Sequence, residues 1–288
     1  MKILVPGCCG YIGAYLVPHL LAEGHTVIGH DVGWFGDGFL PKDNGHFTLN
    51  GDIREGVEKS DAVIYLAGLT SNAACEKDPK LAQDTNVALF ADFLDKVKTK
   101  HLIFLSSAAV YGSTKEPATT KTPLEPTTLY SQAKALCELM IKRENTTILR
   151  PAGICGQSPR MRFDLTVNKM VKDAMTKRLI TVNGGSQIRP HLNMKDLVDC
   201  IKRIVSERIY GTFNLACANQ TVLDTAKLVQ FIAGGDIEIK PATDNRNYSV
   251  QSSFPTQFTV ANAVSDLTAR FKSGYWKDIS NKSYENQL

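Results

Sequence analysis

Two hydrophobic periods alternate along the first half of the chain. Short runs dominated by Val, Ile and Leu ("KILV", "HTVIGHD", "DAVIYLAG", "HLIFLSS", "TTILRP") are separated by longer stretches ("AYLVPHLLAE", "PKLAQDTNVALFADFLDKVK", "TLYSQAKALCELMIKR") in which apolar residues recur three and four apart. The short runs predict strands and the long ones helices. Strands that are apolar at nearly every position and are joined by helices imply a parallel sheet buried on both faces, the doubly wound α/β class. Helix punctuation agrees. Asp78 is placed as an N-cap before Pro79 at a first helical position, and Asn193 stands three before Asp196.

After "LRPAGICG" the rhythm loosens. A helix at about 162–177, a strand "LITV" and a loop "NGGSQIRPHLN" suggest a second lobe, whereas the helix "MKDLVDCIKRIV" and the strand "GTFNLA" return to the main sheet. A helix "VLDTAKLVQFI" and an irregular tail rich in Ser, Asn and Thr follow. The expected division is a first lobe of residues 1–153, completed by about 188–215, and a smaller α/β lobe of 154–187 and 216–288.

Composition narrows the function. With 43% apolar and 22% charged residues, the chain reads as an ordinary globular protein. A net charge of +4 without a long basic run gives no support for nucleic acid or a membrane surface as partner, and leaves room for a small anionic ligand. Seven cysteines, odd in number and without a C-x-x-C pair, suggest reduced thiols in a cytoplasmic protein and no zinc site. The four-residue apolar run at the N-terminus is too short for a signal peptide, and no run approaches membrane-spanning length.

The candidate chemistry begins in the first turn, "GCCGYIG", where Gly7, Gly10 and Gly13 open directly into a helix through Tyr11 and Ile12. Glycines there permit a tight turn and a close approach of backbone to a pyrophosphate, whose charge the helix N-terminus would meet. A merely structural glycine turn is the alternative, and the position between the first strand and first helix favours dinucleotide binding. Asp31, at the end of the second strand, suits the adenosine ribose hydroxyls. No Arg or Lys follows in "VGWFGDG", which predicts NAD over NADP. Asp52 and Ile53 in "GDI" are placed to meet adenine. Leu66, Ala67 and Gly68 in "LAG" would let ribose and phosphates lie against bare backbone. Asn86, polar within an otherwise apolar helix, needs a partner and is a further cofactor candidate, with a solvent-facing side chain as the alternative.

In "TTLYSQAK", Tyr130 and Lys134 stand four apart, which on a helix puts their β-carbons about 6 Å from one another. An ammonium so placed would make the phenol more acidic, as an acid/base tyrosine requires. Taken by itself, the octapeptide favours an amphipathic surface helix carrying an incidental Tyr and Lys.

The ordered set "GCCGYIG", Asp31, "GDI", "LAG", "SSAAVYG", "YSQAK" and "LRP" resembles the extended short-chain dehydrogenase/reductase family, in its nucleotide-sugar epimerase and dehydratase branch. That resemblance implies a Rossmann domain holding NAD, a smaller C-terminal lobe holding a nucleoside diphosphate sugar, and a catalytic set of Ser107, Tyr130 and Lys134. It also implies Arg189 in "SQIRPHLNMKD" and Arg246 in "DNRNYSV" as ligands of the substrate's diphosphate, with Arg160 and Arg162 as weaker candidates. Surface arginines without a ligand are the alternative. A homodimer is implied through paired helices, with Leu81, Leu129, Leu136 and Met140 covering one another.

Ala108 and Ala109 follow Ser107 where the branch's dehydratases carry an acidic pair and its decarboxylases a Glu. Alanine supplies neither base nor acid for elimination, so the pattern is closer to the 4-epimerases. A reductase of 4-keto sugar nucleotides and a non-catalytic nucleotide sensor are the competing readings. Pro6 stands in place of the usual threonine, Gly153 in place of the usual substrate-binding asparagine, and the C-terminal lobe is short.

Overall fold

The computed structural model describes residues 1–42, 45–242, 244–276 and 278–286. Seven parallel strands build the central sheet in the order β10 (Gly211–Leu215), β6 (Thr146–Pro151), β5 (Leu102–Leu105), β4 (Ala62–Tyr65), β1 (Lys2–Pro6), β2 (Thr26–His30) and β3 (Phe47–Asn50). The inner strands β4 and β5 are buried along their whole length, as their unbroken apolar runs require. β1 pairs with β2 on one side and β4 on the other, so the chain winds outward in both directions from there. The carboxyl ends of β1 and β4 therefore diverge into a crevice at the point where strand order reverses, the usual ligand position in such sheets.

Helices α1 (Tyr11–Ala22), α2 (Asn72–Lys77), α3 (Pro79–Gln83), α4 (Leu89–Lys96) and α5 (Leu129–Met140) belong to the first half. Asp78 caps α3 by accepting from Leu81 N at 2.9 Å, with Pro79 in the first turn as its sequence suggests. The single helix expected from 79 onward is interrupted by a π-turn, Asp84–Ala88, which turns Asn86 inward. The π-turn also leaves the Asn86 carbonyl to accept from Cys137 Sγ of α5 at 3.1 Å.

The second half holds β7 (Gly153–Cys155), α6 (Thr166–Lys177), β8 (Leu179–Asn183), β9 (Ile188–Asn193), α7 (Met194–Glu207), β11 (Ala218–Thr221), α8 (Val222–Ala233), β12 (Asp236–Lys240) and α9 (Val260–Lys272). Three departures from the sequence reading appear. The stretch taken as a loop contains β9, which pairs with β7 and β11 in a separate three-stranded sheet. Of the segment 188–215, only β10 therefore joins the large sheet. "IRPHLN" lacks an apolar alternation, and its strand state is set by those partners and by His191 Nε2 against Thr225 Oγ1 at 3.1 Å. The tail read as irregular contains β12, which pairs with β8, and α9. Val260, Ala263, Val264 and Leu267 of α9 are buried at helical spacing behind a Thr259–Asn262 capping box, a signal present in the sequence. The helix expected from 162 begins at Thr166, leaving Arg160 and Arg162 in the connection before it. No helix among the described residues is long and apolar enough to cross a membrane.

Candidate active site

A cavity of about 420 Å³ opens at the switch between β1 and β4 and runs across the ends of β2 and β5 to the start of α5. At its floor, Gly7 has φ of +84°, and a β-carbon there would lie 2.5 Å from Ala67 N. A β-carbon on Gly13 would lie 2.4 Å from the Cys8 carbonyl oxygen. Both positions demand glycine so that the turn can pack on β4 and on its own helix. Gly10 caps α1 without any side chain, so the first-turn N–H groups at Tyr11, Ile12 and Gly13 meet the cavity without a side-chain acceptor.

Asp31 lines the same wall, its carboxylate accepting from Cys9 N and Gly33 N, each at 2.9 Å. Burial raises its pKa despite those two bonds, with the Arg160 charge acting in the opposite direction. Asp52 and Ile53 line the far end; Asp52 is held by Arg54, whose Nε donates to it at 2.9 Å. Leu66, Ala67 and Gly68 complete the floor.

Asn86 does not line the cavity. Its Oδ1 accepts from Leu69 N at 2.6 Å and its Nδ2 donates to Leu69 O at 3.0 Å, so it acts on the loop after β4 rather than on a ligand. A β-carbon on Gly68 would fall 2.8 Å from that Oδ1.

Ser107 caps the 3-10 turn Ala108–Tyr111 by accepting from Ala109 N, and it meets Tyr130 and Lys134 on one cavity wall. The Thr128–Ser131 capping box starts α5 just before Tyr130. Lys134 Nζ donates to the Leu105 carbonyl at 2.7 Å and lies 4.8 Å from the Phe104 ring centre, and burial lowers its pKa to about 8. Burial pushes the Tyr130 phenol up to about 12, opposed by the Arg162 guanidinium and a hydrogen bond from Ser107. The Lys134 ammonium is turned to the Leu105 carbonyl of β5.

A buried ionic network backs this wall. Glu138 accepts from Arg150 Nε at 3.0 Å and from Ser106 Oγ, while Arg150 Nη1 donates to Tyr111 Oη at 2.7 Å. Ser106, next to Ser107, is thereby fixed to α5 and β6.

Arg189 and Arg246 lie outside the cavity. They meet each other through Asp244: Arg189 Nη2 is 3.0 Å from its carboxylate, and Arg246 Nε donates to it at 2.9 Å. The two arginines hold the Asp244 carboxyl down at about pKa 2. Among the cavity-lining residues that sequence reasoning ranked low or missed, Arg160, Arg162 and Asn286 come from the second half. Arg162 donates to Thr70 Oγ1 at 2.9 Å and pairs with Asp164, and Asn286 reaches the same Thr70 hydroxyl at 2.8 Å. Arg160 lies on the face of Phe35, 3.9 Å from the ring centre. Its clue was only the "SPRMRF" pair of arginines, which carries no distance information.

Residues 3–216 match the family described as the NAD dependent epimerase/dehydratase family. The chain is 28% identical over 270 residues to a UDP-glucose 4-epimerase of Lactobacillus helveticus, covering 80% of this chain and 82% of that protein. It is 29% identical over 235 residues to Protein CapI of Staphylococcus aureus, covering 72% and 70%. The fold superimposes on a UDP-glucuronic acid 4-epimerase of Bacillus cereus, solved with UDP-glucuronic acid and NAD, with a TM-score of 0.83 at 19% identity over 95% of this chain and 99% of that one. The strand–turn–helix glycines and the wall carrying Ser107, Tyr130 and Lys134 fall within the matched span, and the chain belongs to the NAD-dependent epimerase/dehydratase family.

Proposed function

We propose that this chain epimerises a nucleoside diphosphate hexose at C4. The carrying observation is one cavity in which the glycine turn and helix N-terminus at one end are continuous with Ser107, Tyr130 and Lys134 at the other. The cavity fits a dinucleotide: its volume is in the small-ligand range, α1 opens on it without a side-chain cap, and a buried guanidinium faces it without acceptors for two nitrogens. Gly7, Gly10, Tyr11, Ile12 and Gly13 would hold the pyrophosphate. Asp31 would hold the adenosine ribose, Asp52 and Ile53 adenine, and Leu66, Ala67 and Gly68 the remaining backbone contacts. Bound NAD supplies a hydride acceptor that later returns the hydride.

Tyr130 takes the proton of the sugar 4-hydroxyl at its phenolate oxygen and gives it back after the sugar has turned. Ser107 holds the same sugar oxygen, and with the Arg162 charge it favours the phenolate that burial opposes. Lys134, anchored on Leu105, orients the nicotinamide ribose. Ala108 is buried and neither it nor Ala109 has a proton to move, which leaves dehydration without a base or an acid. We assign the substrate's diphosphate to Arg189 and Arg246, where it would take over from the Asp244 carboxylate.

The exposed Leu129, Leu136 and Leu139 of α5, 41%, 44% and 65% accessible, support a homodimer through this helix. Seven unpaired cysteines support a cytoplasmic setting. A panel of sugar nucleotides, offered with catalytic NAD and followed by product stereochemistry and reduced-nicotinamide absorbance, tests the reaction. Epimer formation without net change in cofactor is expected; stoichiometric NADH consumption with a keto sugar and no epimer would replace the reading with a reductase.

A further inference from the structure

Four cationic side chains line the cavity among the described residues: Arg54, Lys134, Arg160 and Arg162. Three have acceptors. Arg54 is bound by Asp52, Lys134 by the Leu105 carbonyl, and Arg162 by Asp164 and Thr70. Arg160 differs: it is 1% exposed, and its Nε and Nη2 are buried without a hydrogen-bond partner. An orphaned buried guanidinium is costly, so the protein tolerates it where an anion completes it.

The position of Arg160 indicates which anion. Its segment is pinned to the residue that opens α1, because Tyr11 Oη donates to Gly156 O at 2.6 Å and Ser158 Oγ donates to Tyr11 O at 2.7 Å. Phe35, in the loop after β2, supports the guanidinium face and leaves its edge for a ligand. The turn "GCCGYIG" contains no Lys or Arg, so a diphosphate there would otherwise meet only the partial charge of a helix end. Burial and the Arg162 charge lower the Arg160 pKa to about 10, which still leaves it cationic at neutral pH.

We infer that Arg160 is a cofactor-binding residue whose guanidinium edge donates to the pyrophosphate of the dinucleotide on its adenosine side, closing the cavity from the second half of the chain. The inference rests on the assignment of this cavity to NAD made above. A 2′-phosphate would offer similar chemistry, since Arg160 also acts on Asp31; the pyrophosphate is favoured because the pinned segment sits over the start of α1.

Calorimetric titration of adenosine, ADP, NAD and NADP into wild-type protein, Arg160→Gln and Arg160→Lys tests it, with melting temperatures of the nucleotide-free forms and of Arg160→Met. Arg160→Gln should weaken ADP and NAD about 10- to 100-fold, with Lys recovering part of the loss. Adenosine should bind as to wild type. Nucleotide-free Arg160→Met should melt at or above the wild-type temperature, since an apolar chain on Phe35 removes the unpaired charge. Equal ADP and NAD affinities in wild type and Arg160→Gln would overturn the inference alone. A loss shared equally by adenosine would overturn it in favour of a shaping role, and a loss confined to NADP in favour of the 2′-phosphate. Wild-type protein that binds no NAD would overturn both this and the cavity assignment.

Discussion

Backbone forms one side of the cavity and arginines the other. The side at the ends of β1, β2 and β4 offers glycines and the first N–H groups of α1, held rigidly because the turn packs on Ala67 and Cys8 with no room for a β-carbon. The side contributed by residues 156–165 offers cationic side chains whose positions depend on partners, Arg162 on Asp164 and Thr70 and Arg160 on Phe35, and outside the cavity Arg189 and Arg246 rest on Asp244 in the same way. A ligand that reads backbone needs no rearrangement on the first side. On the second, an anion must compete with a carboxylate wherever one already holds the arginine, whereas Arg160 offers two buried nitrogens without an acceptor among the described residues.

The largest expected effect concerns the chemistry between the two sides. Tyr130→Phe should lower turnover of the nucleotide sugar by about 10²- to 10⁴-fold while NAD affinity stays within about twofold, because the hydroxyl moves a proton and the ring keeps its packing. Undiminished turnover would make the wall structural and favour a nucleotide sensor. Glu138→Gln comes next: it leaves Arg150 buried without its counter-charge and should cost about 3–5 kcal/mol in urea unfolding. A loss below about 1 kcal/mol would mean that the network behind Ser107 contributes little.

Acid should weaken both sides together. His101 and His191 are buried, and desolvation lowers each pKa to about 4. Between pH 4 and the ordinary histidine value near 6.5, the unfolded chain binds protons that the folded chain does not, so stability present above about 6.5 falls as pH drops toward 4. The loss should be of order 3 kcal/mol per histidine, read from melting curves, with replacement of either residue by Gln reducing the slope. A melting temperature flat across that window would refute it.

Asn86→Ala should cost about 1–3 kcal/mol by leaving the Leu69 backbone unsatisfied, with a smaller loss in NAD affinity through the displaced Ala67–Gly68 loop. An affinity loss larger than the stability loss would restore Asn86 as a direct ligand. The smallest effect is reserved for the arginine side: Asp244→Asn should lower KM for the nucleotide sugar about three- to tenfold by removing the competing carboxylate, and leave NAD affinity unchanged. A raised KM would show that Asp244 positions the two arginines instead of occupying their ligand site.

How much of this was legible differs along the chain. The strands of the large sheet, the glycine turn, Asp31, "LAG", Tyr130 and Lys134 lie where periodicity and spacing put them, since each sits at the end of a buried strand or the start of a capped helix, and Ser107, which only the family resemblance singled out, lines the same cavity. Asn86 was rightly marked as needing a partner, but the π-turn that gives it Leu69 leaves no trace in an apolar helical pattern. Helical spacing places Tyr130 and Lys134 on neighbouring turns and does not say where a four-carbon chain ends; it ends on Leu105.

Local rules determined the βαβ series, its caps and the dinucleotide turn, because those features depend on steric limits and hydrogen bonds within a few residues. Which strands left the large sheet, where the Lys134 ammonium ends, and which arginine reached the cavity with donors to spare were decided only by the tertiary structure. Burial, charge and hydrogen-bond satisfaction are properties of what surrounds a group, and for Arg160 those surroundings are Phe35, Asp31 and the start of α1, brought from the far end of the sequence.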